Sequence, residues 1–476
     1  MRKTKIICTL GPATEGIVDK LIENGMDAAR FNFSHETHSI HLRRILETKK
    51  AREKLSKPIP LIIDTRGPEM RIGQLKEKVN LVKGKMFTLV NEDIIGDGTK
   101  ASISNKNLYK NVKPEKEIFI DDGKVRLEVE KVNEKDIICK VTSGGFISSR
   151  KGVNVHDCET GLPFITESDI ADIEFALDND FDYIALSFVR NASDIYQVRN
   201  ILKRKYKEDV KIIAKIENEE AVKNIDEIIE ASDSIMVARG DLGIEISISQ
   251  VPVIQKKLIK KCYSNAKPVI VATQMLESMT DNPMPTRAEV SDVANAIYDG
   301  TSVVMLSGET AAGDYPIEAL RMMVQVIDDT EKDIDYTTRF NIKAFRAVEK
   351  NILNIISKSS VVASFEIDAK AIVVPTRTGN SARMLSSFRP KSPIIAITVK
   401  PTIQRQLNMS WGIRPMLSKF IGEQKKLYEN TMDLALETKL VNKGDIVILT
   451  GGIPTGSDGK TNMLKIHKVG EKVIDE

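Results

Sequence analysis

The sequence predicts a (β/α)8 barrel with a small all-β domain inserted in one of its loops and a smaller α/β domain following it. Three observations lead there. Eight apolar runs rich in β-branched residues recur along the chain, each ending in polar residues and most followed by a helical pattern. Short β-like segments with tight turns interrupt the series between the third and fourth runs. After the eighth run, strands and helices alternate again in a shorter series.

The runs are KIICTLGP from Lys5, AARFNFSH from Ala28, PLIIDTRGPE from Pro60, YIALSFVR from Tyr183, KIIAKIEN from Lys211, SIMVARGDLG from Ser234, PVIVATQMLES from Pro268 and SVVMLSGET from Ser302. Strand side chains alternate faces, so Ile213, Lys215 and Glu217 share one side while Ile212, Ala214 and Ile216 pack beneath helices. The helices carry their own punctuation. Thr286 to Glu289 reads as a capping box, and Gly300 and Gly25 stand where a glycine ends a helix, a structural role for both.

The interruption contains MFTLV, EIFIDDGKVRLEVE and DIICKVTSGG, with DDG and SGG as turns. Hanging from the catalytic end of the third strand, it is placed to act as a lid. Beyond helical sequence from about Arg321 to Ser359, AIVVPTRTGNSAR, SPIIAITV and GDIVILTGG are the strands of the last domain. The expected domains are the barrel at 1–72 and 157–345, the insertion at 73–156 and the α/β domain at 346–476.

Composition narrows the function. The 476 residues exceed one ordinary core, and 70 Lys and Arg nearly balance 67 Asp and Glu without a basic arm, which argues against nucleic acid as the main ligand. Cys8, Cys139, Cys158 and Cys262 are scattered without CxxC spacing, as reduced thiols in a cytoplasmic protein would be, and His156 beside Cys158 is loop chemistry without a metal. The apolar run after the basic start is broken by Gly11 and Pro12, and no stretch reaches membrane-spanning length. The expectation is a soluble cytoplasmic protein.

The strand tips carry the chemistry. Arg30, Asn32 and Ser34 share one face of the second strand, and Asp64 and Thr65 end the third, ahead of Arg71. Lys215 and Glu217 close the fifth strand, Arg239 and Asp241 the sixth, Thr273 and Gln274 the seventh, and Ser307 and Glu309 the eighth. Carboxylates without His or Cys beside them favour an oxygen-liganded Mg²⁺ or Mn²⁺ over zinc. With Arg30 and Lys215 around that ion, the pocket suits a small, multiply negative substrate. Phosphoryl transfer needs this set, and aldol or lyase chemistry on a metal enolate needs much the same. A catalytically silent sensor of phosphometabolites is a third reading, which intact Lys215, Glu217 and Asp241 disfavour.

In order along the chain, ARFNFSH from Ala29, DTRGPEMR from Asp64, KIEN from Lys215, MVARGDLG from Met236, ATQMLESM from Ala272, PTRAEVSDVANAIYDG from Pro285 and MLSGETAAGDYP from Met305 resemble the successive motifs of the pyruvate kinases. The resemblance spans nearly the whole chain. It implies transfer of the phosphoryl group of phosphoenolpyruvate to ADP, giving pyruvate and ATP, the final step of glycolysis. It implies that Arg30 binds the phosphoryl group, that Lys215 stabilises charge in transit, and that Glu217 and Asp241 hold Mg²⁺ or Mn²⁺. Gly240, Asp241 and Thr273 match substrate positions, with Thr273 helping to protonate the enolate. Arg71 and Lys151, the latter in SSRKGVN, match nucleotide-contacting positions together with Asn32. Asn32, Ser34, Asp64 and Thr65 match ligands of K⁺, and Glu69 marks the potassium-dependent members. Arg66 and Ile72 depart from the usual Lys and Thr.

Other residues have plainer readings. Glu309 is equally a helix-capping carboxylate, His35 a hydrogen-bonded helix-start residue, Trp411 a core or interface residue, and Arg287 either a bridge to a neighbouring subunit or a surface ion pair. In the last domain Thr376, Thr378, Gly379, Asn380 and Ser381 follow a strand and open a helix, so their N–H groups and hydroxyls could cradle the phosphate of an allosteric effector. GGIPTGSDGKTN from Gly451 lies where the resembled family has an effector loop, and that family is a homotetramer.

Overall fold

The structure, a computed structural model, describes residues 1–476 apart from 122, 156–157, 159–160, 340–350, 420–423, 453–460 and 474–476. His156, the expected boundaries at 156/157 and 345/346, and most of the GGIPTGSDGKTN stretch lie outside the described residues.

All eight apolar runs are strands: β1 (Lys5–Thr9), β2 (Ala28–Asn32), β3 (Leu61–Asp64), β4 (Tyr183–Leu186), β5 (Lys211–Ile216), β6 (Ser234–Ala238), β7 (Val269–Ala272) and β8 (Val303–Leu306). They pair in parallel and in sequence order, and β8 returns to β1, with Lys5 opposite Val303, so the barrel closes. Closure sorts each strand's two faces. Ile212, Ala214 and Ile216 pack outward against the helices, while Ile213, Ile7, Ile62 and Met236 meet inside. The capping box also forms. Thr286 Oγ1 accepts from Glu289 N–H at 3.3 Å, Glu289 Oε2 accepts from Thr286 N–H at 2.7 Å, and Gly300 ends that helix at φ 97°.

Between β3 and β4 lies a seven-stranded, largely antiparallel sheet built on its own core of Leu81, Phe87, Val125, Leu127, Cys139 and their neighbours. Its root is the pair Met70–Arg71 with Gly152–Val155, so Arg71 and Lys151 enter and leave the insertion side by side.

The C-terminal sheet contains β9 (Ile372–Pro375), β10 (Ile394–Thr398), β11 (Ile413–Leu417), β12 (Ile446–Gly451) and β13 (Met463–Lys468), in the order β11-β10-β9-β12-β13. Among the described strands of this sheet only β13 is antiparallel. The sequence predicts three of these strands, β9, β10 and β12, but neither edge. Edge strands need no continuous apolar run, and here one carries Pro415 and the other three charged or titratable side chains in LKIHK.

This last domain seals the N-terminal mouth of the barrel. Met409 joins the inward-facing cluster of Ile7, Tyr183 and Ile213, Lys5 Nζ donates to Ile413 O at 2.8 Å, and Tyr183 Oη donates to Gln406 O at 2.9 Å. Asp182, fully buried, takes Arg405 Nε at 2.8 Å. The opposite mouth, beneath the insertion, is left for the site.

Candidate active site

The C-terminal tips of β2, β3, β4 and β5 converge on one charge cluster. Asp64, the last residue of β3, is 1% exposed and accepts from Arg30 Nε at 2.7 Å and from Lys215 Nζ at 2.9 Å. Lys215 spends its other two donors on Ser187 Oγ at 2.7 Å and Glu217 Oε1 at 2.9 Å. Arg30 is steadied by Thr9 Oγ1 at 2.9 Å, and Phe188 N–H donates to Glu217 Oε2 at 2.6 Å from a left-handed backbone with φ 56°.

These contacts set the charges. Burial alone would push the Asp64 carboxyl up, but Arg30 and Lys215 outweigh it and hold it below the usual range. Burial works against Lys215 as well, yet Asp64 and Glu217 keep it firmly a cation. Glu217 goes the other way. Burial raises it, Lys215 holds it back only in part because that ammonium is shared, and the Asp241 carboxylate raises it further, to about 7. Glu217, together with the Asp241 carboxylate that acts on it, offers oxygen donors that a hard divalent cation would satisfy. Among the described residues no set of three or more His, Cys, Asp or Glu forms a self-sufficient metal site. Glu217 and Asp241 supply carboxylate oxygens alone, a donor type that suits Mg²⁺ or Mn²⁺ better than zinc.

The other tips differ in detail from expectation. β6 ends at Ala238, so Arg239 and Asp241 stand on the first turn of the helix Arg239–Glu245 rather than on the strand. Arg239 binds the carbonyls of Thr273 (2.7 Å) and Gln274 (2.8 Å) and pairs with Asp292. It buttresses the turn after β7, where Thr273 (φ 66°) and Gln274 (φ 53°) are both left-handed. That turn places Thr273 Oγ1 to accept from Gly240 N–H at 2.8 Å. Glu309 is buried and caps locally, accepting from Ser307 N–H at 2.7 Å and Leu276 N–H at 3.1 Å, so its plainer reading holds.

Asn32 is directly opposite Asp64 in the register of β2 and β3, and its Oδ1 accepts from Ser34 N–H at 3.1 Å. Thr65 follows, with its N–H on Ala185 O at 3.0 Å. The four expected K⁺ residues therefore come from two adjacent strand ends. At the root of the insertion Arg71 pairs with Glu69 at 2.6 Å and Lys151 with Asp121 at 2.8 Å. Arg66 pairs with Asp172 at 3.2 Å, His35 is exposed, and Arg287 is exposed. Trp411 is buried between barrel and C-terminal domain, beside Tyr336.

Ser187 escaped the sequence reading. It is buried, accepts from Lys215 and donates to Thr65 O at 2.7 Å, tying the cation of β5 to the tip of β3. Its signal was available, since it occupies a strand tip as the other site residues do, but a serine without a charged neighbour in sequence does not stand out.

In the C-terminal domain Thr376 Oγ1 accepts from Gly379 N–H at 3.0 Å, Gly379 has φ 85°, and the helix Asn380–Ser387 begins there. Arg383 folds back onto Thr378 O at 2.7 Å and Asn380 Oδ1 at 3.0 Å, and Ser381 Oγ meets Thr461 Oγ1 at 2.5 Å.

A closed parallel barrel that gathers Arg30 and Lys215 with Asp64, Glu217 and Asp241 beneath an inserted β domain is the scaffold of an enzyme acting on a small polyanion. The "Pyruvate kinase, barrel domain" family model matches residues 1–320 and "Pyruvate kinase, alpha/beta domain" matches 354–467. The chain is 48% identical over 473 residues to a pyruvate kinase of Clostridium acetobutylicum, covering 98% of this chain and 100% of that one. It is 43% identical to a pyruvate kinase of Geobacillus stearothermophilus, covering 99% of this chain and 81% of the relative. A crystal structure of a pyruvate kinase from Cryptosporidium parvum superposes with a TM-score of 0.93 at 38% identity, over 98% of this chain and 96% of that one. The chain belongs to the pyruvate kinase family of phosphotransferases.

Proposed function

We propose that this chain transfers the phosphoryl group of phosphoenolpyruvate to ADP, releasing pyruvate and ATP, as the last step of glycolysis in the cytoplasm. The observation that carries the reading is the buried Arg30–Asp64–Lys215–Glu217 cluster at the open mouth of the barrel. Arg30 and Lys215 receive the phosphoryl oxygens, and Asp64 fixes both cations in place beforehand, so little reorganisation remains for the transfer. The phosphorus–oxygen bond to the enol breaks as one forms to the terminal phosphate oxygen of ADP. Lys215, held protonated, then faces the enolate oxygen. C3 of that enolate takes a proton, delivered by Thr273 directly or through water, while Gly240, Asp241 and Thr273 hold the carboxylate end.

Glu217 and Asp241 would hold Mg²⁺ or Mn²⁺, which supplies charge to neutralise the phosphate and enolate oxygens. Asn32, Ser34, Asp64 and Thr65 would hold K⁺ beside the phosphoryl group, and Glu69 supports potassium dependence. Arg71 and Lys151, with Asn32, would bind ADP at the root of the insertion, whose closure over 73–156 excludes water from the barrel parts at 1–72 and 157–345. The α/β domain at 346–476 would bind a phosphorylated effector through Thr376, Thr378, Gly379, Asn380 and Ser381 and join a homotetramer.

The test is pyruvate release from phosphoenolpyruvate with ADP and Mg²⁺, with K⁺ or with tetramethylammonium at the same ionic strength, against a control lacking ADP. ADP-dependent release that rises with K⁺ supports the reaction and the cation site at Asn32, Ser34, Asp64 and Thr65. Activity indifferent to K⁺ removes the Asn32–Ser34–Asp64–Thr65 assignment, and no ADP-dependent release removes the reaction.

A further inference from the structure

Arg389 lies at the seam between the N-terminal mouth of the barrel and the C-terminal domain, and it is 8% exposed. Its Nη1 donates to Ser386 O at 2.9 Å, and its Nη2 to Gly300 O at 2.9 Å and Ser302 Oγ at 2.8 Å. The rings of Trp411 and Tyr263 lie 5.0 Å and 5.8 Å from the guanidinium carbon. All of these partners are neutral. Among the described residues no carboxylate pairs with Arg389, and its Nε has no hydrogen-bond partner. Burial, reinforced by the nearby cation of Arg339, pushes it down to about 9, which leaves it charged at neutral pH.

The same place contains a small cavity of ≈ 10 Å³, lined by Arg389, Lys267, Arg383, Ser302, Ser386 and Ser410 among others. Its wall includes three cations and no acid. Ser410 Oγ is buried there without a partner, and Ser302 Oγ, while accepting from Arg389, keeps its own proton to donate. The acid that acts on Lys267 is Asp233, which is already paired with Arg199 at 2.8 Å and Lys211 at 3.2 Å. A buried charge surrounded by dipoles alone is costly, and proteins meet that cost with an opposite charge. The space is at the lower limit of what holds one water, so a monatomic anion enters only where the surrounding hydroxyls and guanidinium give by a few tenths of an ångström, and a tetrahedral oxyanion is larger still.

We propose that this cavity binds a halide-sized inorganic anion, chloride in the cell, as the counter-ion of Arg389 across the seam between barrel and C-terminal domain. The anion accepts from Arg389 Nε and from the hydroxyls of Ser410 and Ser302. It joins Ser302 at the start of β8 to the segment after the helix Asn380–Ser387, and so stiffens the connection of the two domains.

The experiment is thermal unfolding of the full chain in potassium chloride and in potassium gluconate, at equal K⁺ and ionic strength, with Ser302→Asp alongside. The variant places a carboxylate beside the guanidinium and replaces the anion. The expected result is a saturable rise of about 2 °C in the wild-type midpoint with chloride, none with sulfate beyond gluconate, and no chloride response in Ser302→Asp. Equal wild-type midpoints in chloride and gluconate, an equal response to sulfate, or an undiminished chloride response in Ser302→Asp would each overturn the proposal. If the variant does not fold, bromide soaked into crystals of the wild-type protein decides it. An anomalous peak beside Arg389 Nε and Ser410 supports the site, and none there refutes it.

Discussion

Replacing Lys215 by Met tests the centre of the proposed chemistry, because the side chain keeps its length and loses only its charge and donors. In the wild type that ammonium makes contacts of 2.7–2.9 Å to Ser187, Asp64 and Glu217. The fold should tolerate the change. Asp64 retains Arg30 at 2.7 Å, and Glu217, already pushed up to about 7, takes a proton instead of remaining an unpaired buried charge. The stability loss is then about 1–3 kcal/mol, the value of buried hydrogen bonds left incomplete. Catalysis should suffer more. Removing one preorganised donor from a transition-state charge costs about 10²–10³ in kcat, and a full cation in a site walled by buried strands belongs at the upper end, about 4 kcal/mol. Pyruvate formation at saturating phosphoenolpyruvate, ADP, Mg²⁺ and K⁺, with circular dichroism melting as the control for folding, measures both terms. A folded Lys215→Met enzyme that keeps more than about a tenth of wild-type turnover would refute the role given to Lys215.

Ser187→Ala removes the hydroxyl between Lys215 and Thr65 but leaves Lys215 its two carboxylates. The expected outcome is an about 10-fold lower kcat with unchanged melting, and kinetics that match wild type would make Ser187 a bystander. Arg405→Met strands Asp182 in the seam and should cost about 3–5 kcal/mol of stability at pH 7. The burial of Asp182, only partly offset by Arg405, raises its pKa to about 6. Folding therefore favours its protonated form, a contribution present at low pH and lost as pH rises through about 6, so the deficit of the variant should narrow at pH 5. His41 stacks on Phe33 at 4.2 Å, its Nε2 meets His35 O at 2.9 Å and its Nδ1 has no partner. Burial lowers its pKa, so the folded state resists protonation and stability falls as pH drops through the ordinary histidine range, about 6.5. His41→Phe should flatten that part of the stability profile between about pH 7 and 5.5, and an unaltered profile would assign it to other groups.

The site was legible where charge and period coincide. Lys215 and Glu217 alternate with Ile212, Ala214 and Ile216, and a period of two leaves both charges on the barrel's inner face once the apolar residues are committed to the helices. The motif series extended this to Arg30, Asp64 and Thr273. Less legible were groups whose part depends on a neighbour distant in sequence, such as Ser187, Thr9 and the N–H of Phe188. The misplacement of Arg239 and Asp241 has a local cause, since RGDLG continues the polar end of a strand pattern while the chain already turns into a helix after Ala238.

The sequence by itself determined the eight barrel strands, their order, the capped helix at Thr286 and the family, because each is written in local periodicity or in contiguous motifs. Tertiary structure decided what closure brings together. Barrel closure turns separate strand tips into one cluster in which Asp64 is shared by two cations and Glu217 is left short of positive charge. Docking of the last domain buries Arg389 with no carboxylate partner among the described residues, and Asp182 against Arg405. The physical reason is that burial and through-space charge act between groups up to hundreds of residues apart, and only the folded chain fixes those distances.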